Sequence, residues 1–189
     1  LVMILNLFVR TIALNVTLYY GTAFATSYGN EYIAAYTIAI NLWFLGAFIV
    51  DGYASAGNIL SGKLYGGKEY TRLLKLSTRL IKYGVVIGII LGVIGGILYI
   101  PLGAIFTKDQ EVLREFYNVF WIVLVMQPFC ALAFIFDGIF KGLGRMKHLR
   151  NVLLFSTFIV FIPLLFWLDH LEYKLHAVFV ALTFWIIAR

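Results

Sequence analysis

The sequence predicts an all-helical, polytopic membrane protein with six membrane-spanning helices. Its 189 residues are 62% hydrophobic and 13% charged, and its mean hydropathy is +0.94, which lies outside the range of soluble domains. Long, nearly uncharged runs recur between short charged clusters. Each run suits a spanning helix of ~20 residues, and together they exclude a barrel built of strands of ~10 residues.

Six apolar runs are the predicted spans. They cover residues 4–28, 32–60, 80–106, 113–138, 151–168 and 175–188. No basic segment and small-residue cleavage site precede the first run, so it is predicted to span the membrane rather than to serve as a signal peptide. We expect the chain to be one lobe of a longer protein, with another part upstream.

Basic residues concentrate in two connecting segments, and this bias predicts the orientation. Ten of the fifteen lie there: Lys63, Lys68, Arg72, Lys75, Arg79 and Lys82, then Lys141, Arg145, Lys147 and Arg150. Cytoplasmic segments carry such an excess of basic residues, so both segments and both chain ends are predicted to face the cytoplasm. The membrane is predicted to be the inner (plasma) membrane of the cell. The net charge of +6 then reflects topology, and no nucleic-acid partner is predicted.

Polar side chains form stripes on the first two helices. The 100° helical step places Thr11, Asn15 and Tyr19 on one face, with Asn6, Arg10 and Thr17 roughly opposite. Thr37 and Asn41 begin a stripe on the second helix that continues to Asp51, Ser55 and Asn58. Such stripes either hydrogen-bond neighbouring helices or line a cavity for large organic molecules. Thr11, Asn15, Tyr19, Thr37, Asn41 and Gln127 are the candidates for a substrate cavity.

Two other helices carry packing and bending signals. Gly84, Gly88, Gly92 and Gly96 recur every four residues on the third helix, which favours close approach of another helix. Pro128 lies near the middle of the fourth helix and predicts a kink, because proline lacks the backbone donor and clashes with the preceding turn. Gln127 then either serves the freed carbonyl or faces a cavity.

Three charged residues lie inside predicted spans: Arg10, Asp51 and Asp137. Ionisable groups at membrane depth are costly and are candidates for function. At ~1.5 Å per residue, all three approach the cytoplasmic boundary. They form either a structural ion pair or helix-end anchor, or a site that binds a proton or another cation, so they are the candidates for gating or ion coupling.

The sequence lacks residues that enzymatic or metal-binding motifs require. Residues 62–68 have phosphate-loop spacing, but Glu69 stands where a magnesium-binding Ser or Thr is required. A protease using Ser55 needs a histidine at membrane depth, whereas the histidines lie in predicted loops or at the outer side. We therefore predict no catalytic residue, no metal site and no cofactor.

Particular residue runs resemble one transporter family. Residues 41–56, which include FIVDG at 48–52, and residues 62–66 are similar to the eighth helix of the multidrug and toxic compound extrusion (MATE) family, most of all its DinF-like branch. Residues 137–142 and 145–151 resemble the end of the tenth helix and the start of the eleventh, and residues 10–14 the seventh. The resemblance implies the C-terminal lobe of a twelve-helix transporter whose two lobes enclose a central cavity.

The resemblance also implies a function. MATE proteins export cationic or amphipathic organic compounds by antiport with protons or sodium ions, so the implied partners are a small organic substrate, the bilayer and an N-terminal lobe of the same chain. Transporters commonly pair such repeats around a midplane site. The NorM-like branch uses a seventh-helix acid for sodium, which the first helix here lacks, and the DinF-like branch places coupling carboxylates in the N-terminal lobe.

Two alternatives remain open. A lipid-linked oligosaccharide flippase of the same superfamily would line its cavity with several basic residues, and only Arg10 is available in the spans. An intramembrane enzyme lacks its catalytic pair.

The Asp-Gly pair of FIVDG recurs 86 residues later in FIFDG at 134–138. We predict that both pairs end equivalent helices on the cytoplasmic side. Each aspartate would engage Arg10 or a basic loop, and each glycine would permit close backbone approach, which together would fasten a cytoplasmic gate.

Overall fold

The computed structural model describes residues 2–189, with side chains from residue 4 onward. Apart from short turns, these residues are helical. The helices are α1 (Val2–Tyr28), α2 (Asn30–Gly66), α3 (Tyr70–Ile97), α4 (Tyr99–Phe106), α5 (Gln110–Gly142), α6 (Met146–Phe155), α7 (Ile162–His170) and α8 (Leu175–Ile187). A π-helical turn, Ser156–Phe161, joins α6 to α7.

Most of these helices are long and apolar enough to cross a membrane. Four helical stretches are long and apolar enough to cross a bilayer: α2, α3, α5 and the continuous unit Met146–His170. α1 has 27 residues, which also exceeds the ~20 that a span requires, and α8 is a shorter apolar helix. The all-helical, multi-pass fold predicted from the sequence is confirmed.

Helix boundaries differ from the predicted spans where charged residues continue a helix. α2 runs to Gly66 rather than 60, and α3 begins at Tyr70 rather than 80. The residues added to α3 include the exposed Arg72, Lys75 and Arg79. Hydropathy marks only the part of a helix that lies in the hydrocarbon, so these polar extensions were not predicted.

Prolines mark the other departures from the predicted spans. The predicted third span, 80–106, breaks at Leu98 into α3 and α4, because Pro101 has no N–H to donate to the carbonyl of Ile97. The π-helical turn ends at Phe161, two residues before Pro163, and interrupts the α-helix of the predicted fifth span, since a wider turn relieves the clash of the proline ring. α5 continues through Pro128 without interruption.

The centre of the fold is α5, which packs against α2, α3 and α8. Its buried side chains Phe116, Phe120 and Met126 join the main apolar core. Trp43 of α2 donates its indole N–H to Cys130 of α5 over 3.1 Å. This central position means that α5 forms one wall of each cavity described below.

The glycine stripe of α3 lies against α5, the close approach that its spacing predicts. A Cβ atom at Gly88 would lie 2.8 Å from the Cα atom of Pro128, and one at Gly92 would lie 3.0 Å from the carbonyl oxygen of Leu124. Both separations are shorter than ordinary van der Waals contact. The stripe therefore allows the backbones of α3 and α5 to meet.

Hydrogen bonds between side chains also connect the helices at the end that is predicted to face away from the cytoplasm. Tyr28 of α1 donates its hydroxyl to Asp169 at the end of α7. Lys174, in the turn before α8, donates to the hydroxyl of Tyr32 on α2 over 3.1 Å and lies 5.1 Å from its ring centroid. The hydrogen bond to Tyr32 raises the pKa of Lys174, because it favours the charged ammonium.

Candidate functional site

A charged cavity lies where α1, α2, α5 and α8 meet. Its volume is about 190 Å³. Its apolar walls include Trp43, Phe44 and Phe48 of α2 and Trp185 of α8. Its charged lining residues are Arg10, Asp51, Asp137, Lys141 and Arg189. We call this space the charged cavity.

Two arginines share the carboxylate of Asp137 within this cavity. Arg10 and Arg189 each donate an Nη2 hydrogen bond to Oδ2 of Asp137. The side chains of Arg10, Arg189 and Asp137 are only 12%, 4% and 5% exposed. A buried carboxylate needs such partners, because removal from water costs several kcal/mol per ion.

The pairing with Asp137 leaves both guanidinium groups incompletely bonded. The Nε atoms of Arg10 and Arg189 are buried and find no hydrogen-bond partner in the described part of the chain. The guanidinium of Arg189 lies 5.2 Å from the ring of Phe134 and 5.5 Å from that of Trp185. Aromatic faces attract such cations, so α8 is held to α5 by more than one interaction.

Arg189 and Lys141 were not predicted as cavity residues. The sequence signal for Arg189 was its depth, because it follows an apolar helix that starts at the outer side, at the level expected for Arg10. The expectation that Arg10 is the only basic residue available to line a cavity was wrong, since Lys141 and Arg189, just beyond the predicted spans, also line this one. The lining of this cavity comes from four helices, and the hydropathy of a single apolar run does not predict which residues of other helices will lie beside it.

The two Asp-Gly pairs differ in their surroundings. Asp137 and Asp51 line the same cavity, but Asp51 is half-buried and makes no ion pair within residues 2–189. A Cβ atom at Gly138 would overlap the carbonyl oxygen of Ala54, whereas nothing lies within 4 Å of one at Gly52. The prediction of close backbone approach was therefore wrong for Gly52.

The Asp-Gly pairs also do not end their helices. α2 continues from Gly52 to Gly66 and α5 from Gly138 to Gly142. The physical reason is that polar residues extend a helix beyond the apolar run that was used to place its end.

The two polar stripes on α1 have different environments. The shorter stripe is buried: Asn6 accepts a 2.7 Å hydrogen bond from Arg150, and Thr17 lies 3.2 Å from the hydroxyl of Thr157. The longer stripe is exposed, and Thr11, Asn15 and Tyr19 line a groove on the outer surface of α1. Only the shorter stripe serves helix packing within this lobe.

The remaining substrate-cavity candidates do not join this α1 groove. Thr37 lines a separate groove beside α4 and the start of α5. Asn41 is exposed on α2. Gln127 is 4% exposed and lies in a different, apolar cavity. The structure therefore gathers the three charged candidates, Arg10, Asp51 and Asp137, but not the six polar ones.

A Thr-x-x-x-Asn pattern occurs on both α1 and α2. Asn15 donates its amide to the carbonyl of Thr11 over 2.9 Å, and Asn41 donates to the carbonyl of Thr37 over 2.7 Å. Each threonine hydroxyl bonds one turn further back, to Leu7 or Ile33. Because one N–H of each side-chain amide is used in this way, each asparagine keeps its carbonyl oxygen as an acceptor and its second N–H as a donor.

Comparison with known proteins identifies the family. The family model described as MatE matches residues 7–167. The chain belongs to the MatE family. Members of this family are transporters rather than enzymes and need no cofactor, and the resemblance seen in the residue motifs is confirmed.

Curated MatE relatives come from plants and bacteria. Protein DETOXIFICATION 45, chloroplastic, of Arabidopsis thaliana is 33% identical over 139 residues, which cover 74% of this chain and 25% of that protein. The DNA damage-inducible protein F of Escherichia coli (strain K12) is 25% identical over 174 residues, covering 89% of this chain and 36% of that protein. The chain thus spans about a quarter to a third of the length of these relatives.

Solved structures of transporters have the same fold. The Vibrio cholerae MATE transporter VcmN in the bent form matches with a TM-score of 0.84 at 17% identity, over 94% of this chain and 40% of that one. A MOP superfamily transporter from Pyrococcus furiosus Vc1 matches with a TM-score of 0.74 at 15% identity, over 98% and 40%. The MatE chain therefore has the architecture of one lobe of such a transporter.

Proposed function

We propose that this chain is the C-terminal lobe of a transporter that exports cationic or amphipathic organic compounds in exchange for protons or sodium ions. Membership of the MatE family and coverage of 40% of each matched transporter structure support this proposal. A second lobe of the same chain, upstream of residue 1, completes the central cavity. Paired repeats around a midplane site are the common plan of secondary transporters.

The observation that carries the proposal is the unequal environment of two carboxylates in one cavity. Asp137 is neutralised by Arg10 and Arg189, whereas Asp51 lines the same space without an ion pair among the described residues. An antiporter needs a carboxylate that is free to exchange a cation or proton, and it needs fixed contacts that hold its helices. We assign ion coupling to Asp51 and gating to the Arg10–Asp137 pair.

Polar groups on the exposed faces of α1 and α2 are the proposed substrate contacts. The asparagine oxygens of Asn15 and Asn41 accept hydrogen bonds from ammonium, amide or hydroxyl groups. Tyr19 is 71% exposed and offers an aromatic face to a cation. Together with Thr11 and Thr37, these three residues bind amphipathic cations through hydrogen bonds and an aromatic face. No carboxylate is among these proposed contacts.

The orientation follows from charge bias. We place the basic segments after α2 and after α5 in the cytoplasm, together with both ends of this chain, in the plasma membrane. The charged cavity then opens toward the cytoplasmic side, where a gate must close after substrate has entered.

A flippase for anionic lipid-linked sugars is not favoured by the same cavity. It holds three basic residues, but Arg10 and Arg189 are already paired with Asp137. Lys141 alone is left to bind a phosphate, whereas such a cavity needs several free cations.

Transport measurements on the full-length protein in proteoliposomes test the proposal. We expect efflux of a fluorescent cationic dye under an imposed pH or sodium gradient, and about tenfold slower gradient-driven efflux in Asp51→Asn. Glu172→Gln, which removes an exposed carboxylate beyond α7, is the matched control and should transport like wild type. Wild-type rates in Asp51→Asn would move coupling to the other lobe, and no dye efflux under either gradient would contradict the proposed antiport.

A further inference from the structure

A second cavity of about 300 Å³ lies on the other side of α2 from the charged cavity. It is walled by α2, α3, α4 and α5 and shares no lining residue with the charged cavity. Its volume reaches the range of small-molecule sites. Its lining is aliphatic or aromatic apart from two glycines and one amide, that of Gln127. We call this space the apolar cavity.

The apolar cavity opens at a rim of exposed aliphatic side chains. Leu45 and Ile49 of α2 are 60% and 51% exposed, and Ile94 of α3 is 47% exposed. These side chains form the rim and lie within predicted spanning segments. A ligand would therefore enter from the membrane rather than from water.

Gln127 marks the buried end of the apolar cavity. Its side chain is 4% exposed, and its Oε1 atom finds no hydrogen-bond partner in the part of the chain that the structure describes. A Cβ atom at Gly46 would lie 3.1 Å from this oxygen, so a glycine leaves the amide room against α2. A buried carbonyl oxygen without a partner is costly, which indicates that a further group donates a hydrogen bond to it.

The nature of the lining restricts what that group is. A charged headgroup is excluded, because no opposite charge lines the apolar cavity. Gln127 is the one side chain of this lining that can form hydrogen bonds, so the cavity offers a water molecule a single polar side chain among apolar walls. A hydroxyl on an alkyl chain meets both conditions, since it donates or accepts one hydrogen bond while its chain packs against the aliphatic walls.

We propose that the apolar cavity binds an uncharged membrane amphiphile, an alkyl chain that carries a hydroxyl, with the hydroxyl bonded to Gln127. This site is separate from the proposed transport site and does not depend on the proposed function. The bound amphiphile comes from the bilayer. It packs between α3 and the helices α2 and α5, and so stabilises their contact.

Photolabelling of the full-length protein in lipid nanodiscs tests this site. The probes are a diazirine-bearing hexadecanol and the matching hexadecane without the hydroxyl, with labelled peptides read by mass spectrometry. We expect the alcohol to label residues 42–49 and 91–102 about fivefold more than the alkane, the ratio that one hydrogen bond supplies. Gln127→Leu should abolish this difference, whereas Asn118→Leu, which removes an exposed amide from the same helix, should not.

A second pair of variants tests occupancy without touching the amide. Ile94→Trp fills the mouth of the apolar cavity and should reduce alcohol labelling to background. Ile97→Trp places the same bulk at a 75% exposed site on α3 outside the lining and should leave labelling unchanged. Equal labelling by alcohol and alkane in the wild type, or undiminished alcohol labelling in Gln127→Leu, would overturn the proposal.

Discussion

Gly138 of α5 lies directly against the backbone of α2, where a Cβ atom at Gly138 would overlap the carbonyl oxygen of Ala54. One turn later, a Cβ atom at Gly142 would overlap the carbonyl oxygen of Asn58. α2 and α5 are therefore in backbone contact beside Asp137. The contact fixes the position of that carboxylate, because its neighbour in sequence cannot move away from α2.

Gly138→Ala is predicted to destabilise the lobe. The added methyl group forces α2 and α5 apart, and overpacking of this kind costs about 1–3 kcal/mol. Gly52→Ala is the matched control, since nothing lies within 4 Å of the added atom and alanine favours a helix by about 0.5–1 kcal/mol. Unfolding by titration with a denaturing detergent measures both. Equal stability of the two variants would show that the backbone contact is not tight.

The difference between the two glycines shows how far the sequence alone could lead. Hydropathy predicted six apolar spans and placed Arg10, Asp51 and Asp137 at one level, because depth follows from counting residues along a helix. Hydropathy could not distinguish Gly52 from Gly138, because the same Asp-Gly motif does not specify which helix packs against each glycine. Contact between helices depends on their rotation, which a repeated motif does not specify.

The polar stripes illustrate the same limit. Periodicity correctly separated two faces of α1, but it could not predict that the face with Thr17 is buried while the face with Asn15 is exposed. Both faces contain hydroxyl and amide groups. Burial is decided by the partner helix, here the turn that carries Thr157.

Loss of charge at Asp137 is predicted to cost more than loss of charge at Arg10. Asp137→Asn leaves two buried guanidinium groups without a counter-charge, which costs about 3–5 kcal/mol. Arg10→Gln removes one cation while Asp137 keeps Arg189, so the cost should be smaller. Detergent-induced unfolding of each variant in the full-length protein measures the difference.

The double variant Arg10→Gln with Asp137→Asn tests whether the two residues are coupled. It leaves one unpaired arginine instead of two, so its cost should fall below the sum of the single costs by about 0.5–3 kcal/mol. Strict additivity would contradict an ion pair between the two side chains.

Water is predicted to reach the exposed stripe of α1. In a Cys130→Ala background, Asn15→Cys should react with a membrane-impermeant thiol reagent at least about tenfold faster than Val93→Cys, because a thiol reacts as its hydrated thiolate. Val93 is the matched control, since it is 55% exposed on α3 among other exposed apolar side chains. Equally slow reaction at both positions would place the α1 stripe against lipid or protein and would remove Asn15 from the substrate path.

A buried hydrogen-bond chain next to the charged cavity gives the last prediction. Trp185 donates its indole N–H to the hydroxyl of Thr157 over 3.0 Å, and that hydroxyl lies 3.2 Å from the hydroxyl of Thr17. Thr157→Val keeps the shape of the side chain but leaves the indole N–H of Trp185 buried and unpaired. Because an unsatisfied buried donor costs about 1–3 kcal/mol, this variant should unfold at a lower detergent concentration than wild type.

Two further variants separate the hydrogen-bond chain from packing. Thr78→Val is the control, since Thr78 is exposed and its hydroxyl bonds only to Leu74 of its own helix. Trp185→Phe removes the donor itself, and in that background Thr157→Val should cost less, because no indole N–H remains to be stranded. The same cost in both backgrounds would mean that the hydrogen bond between Trp185 and Thr157 contributes nothing to stability. Thr157 would then act only by filling space within the π-helical turn.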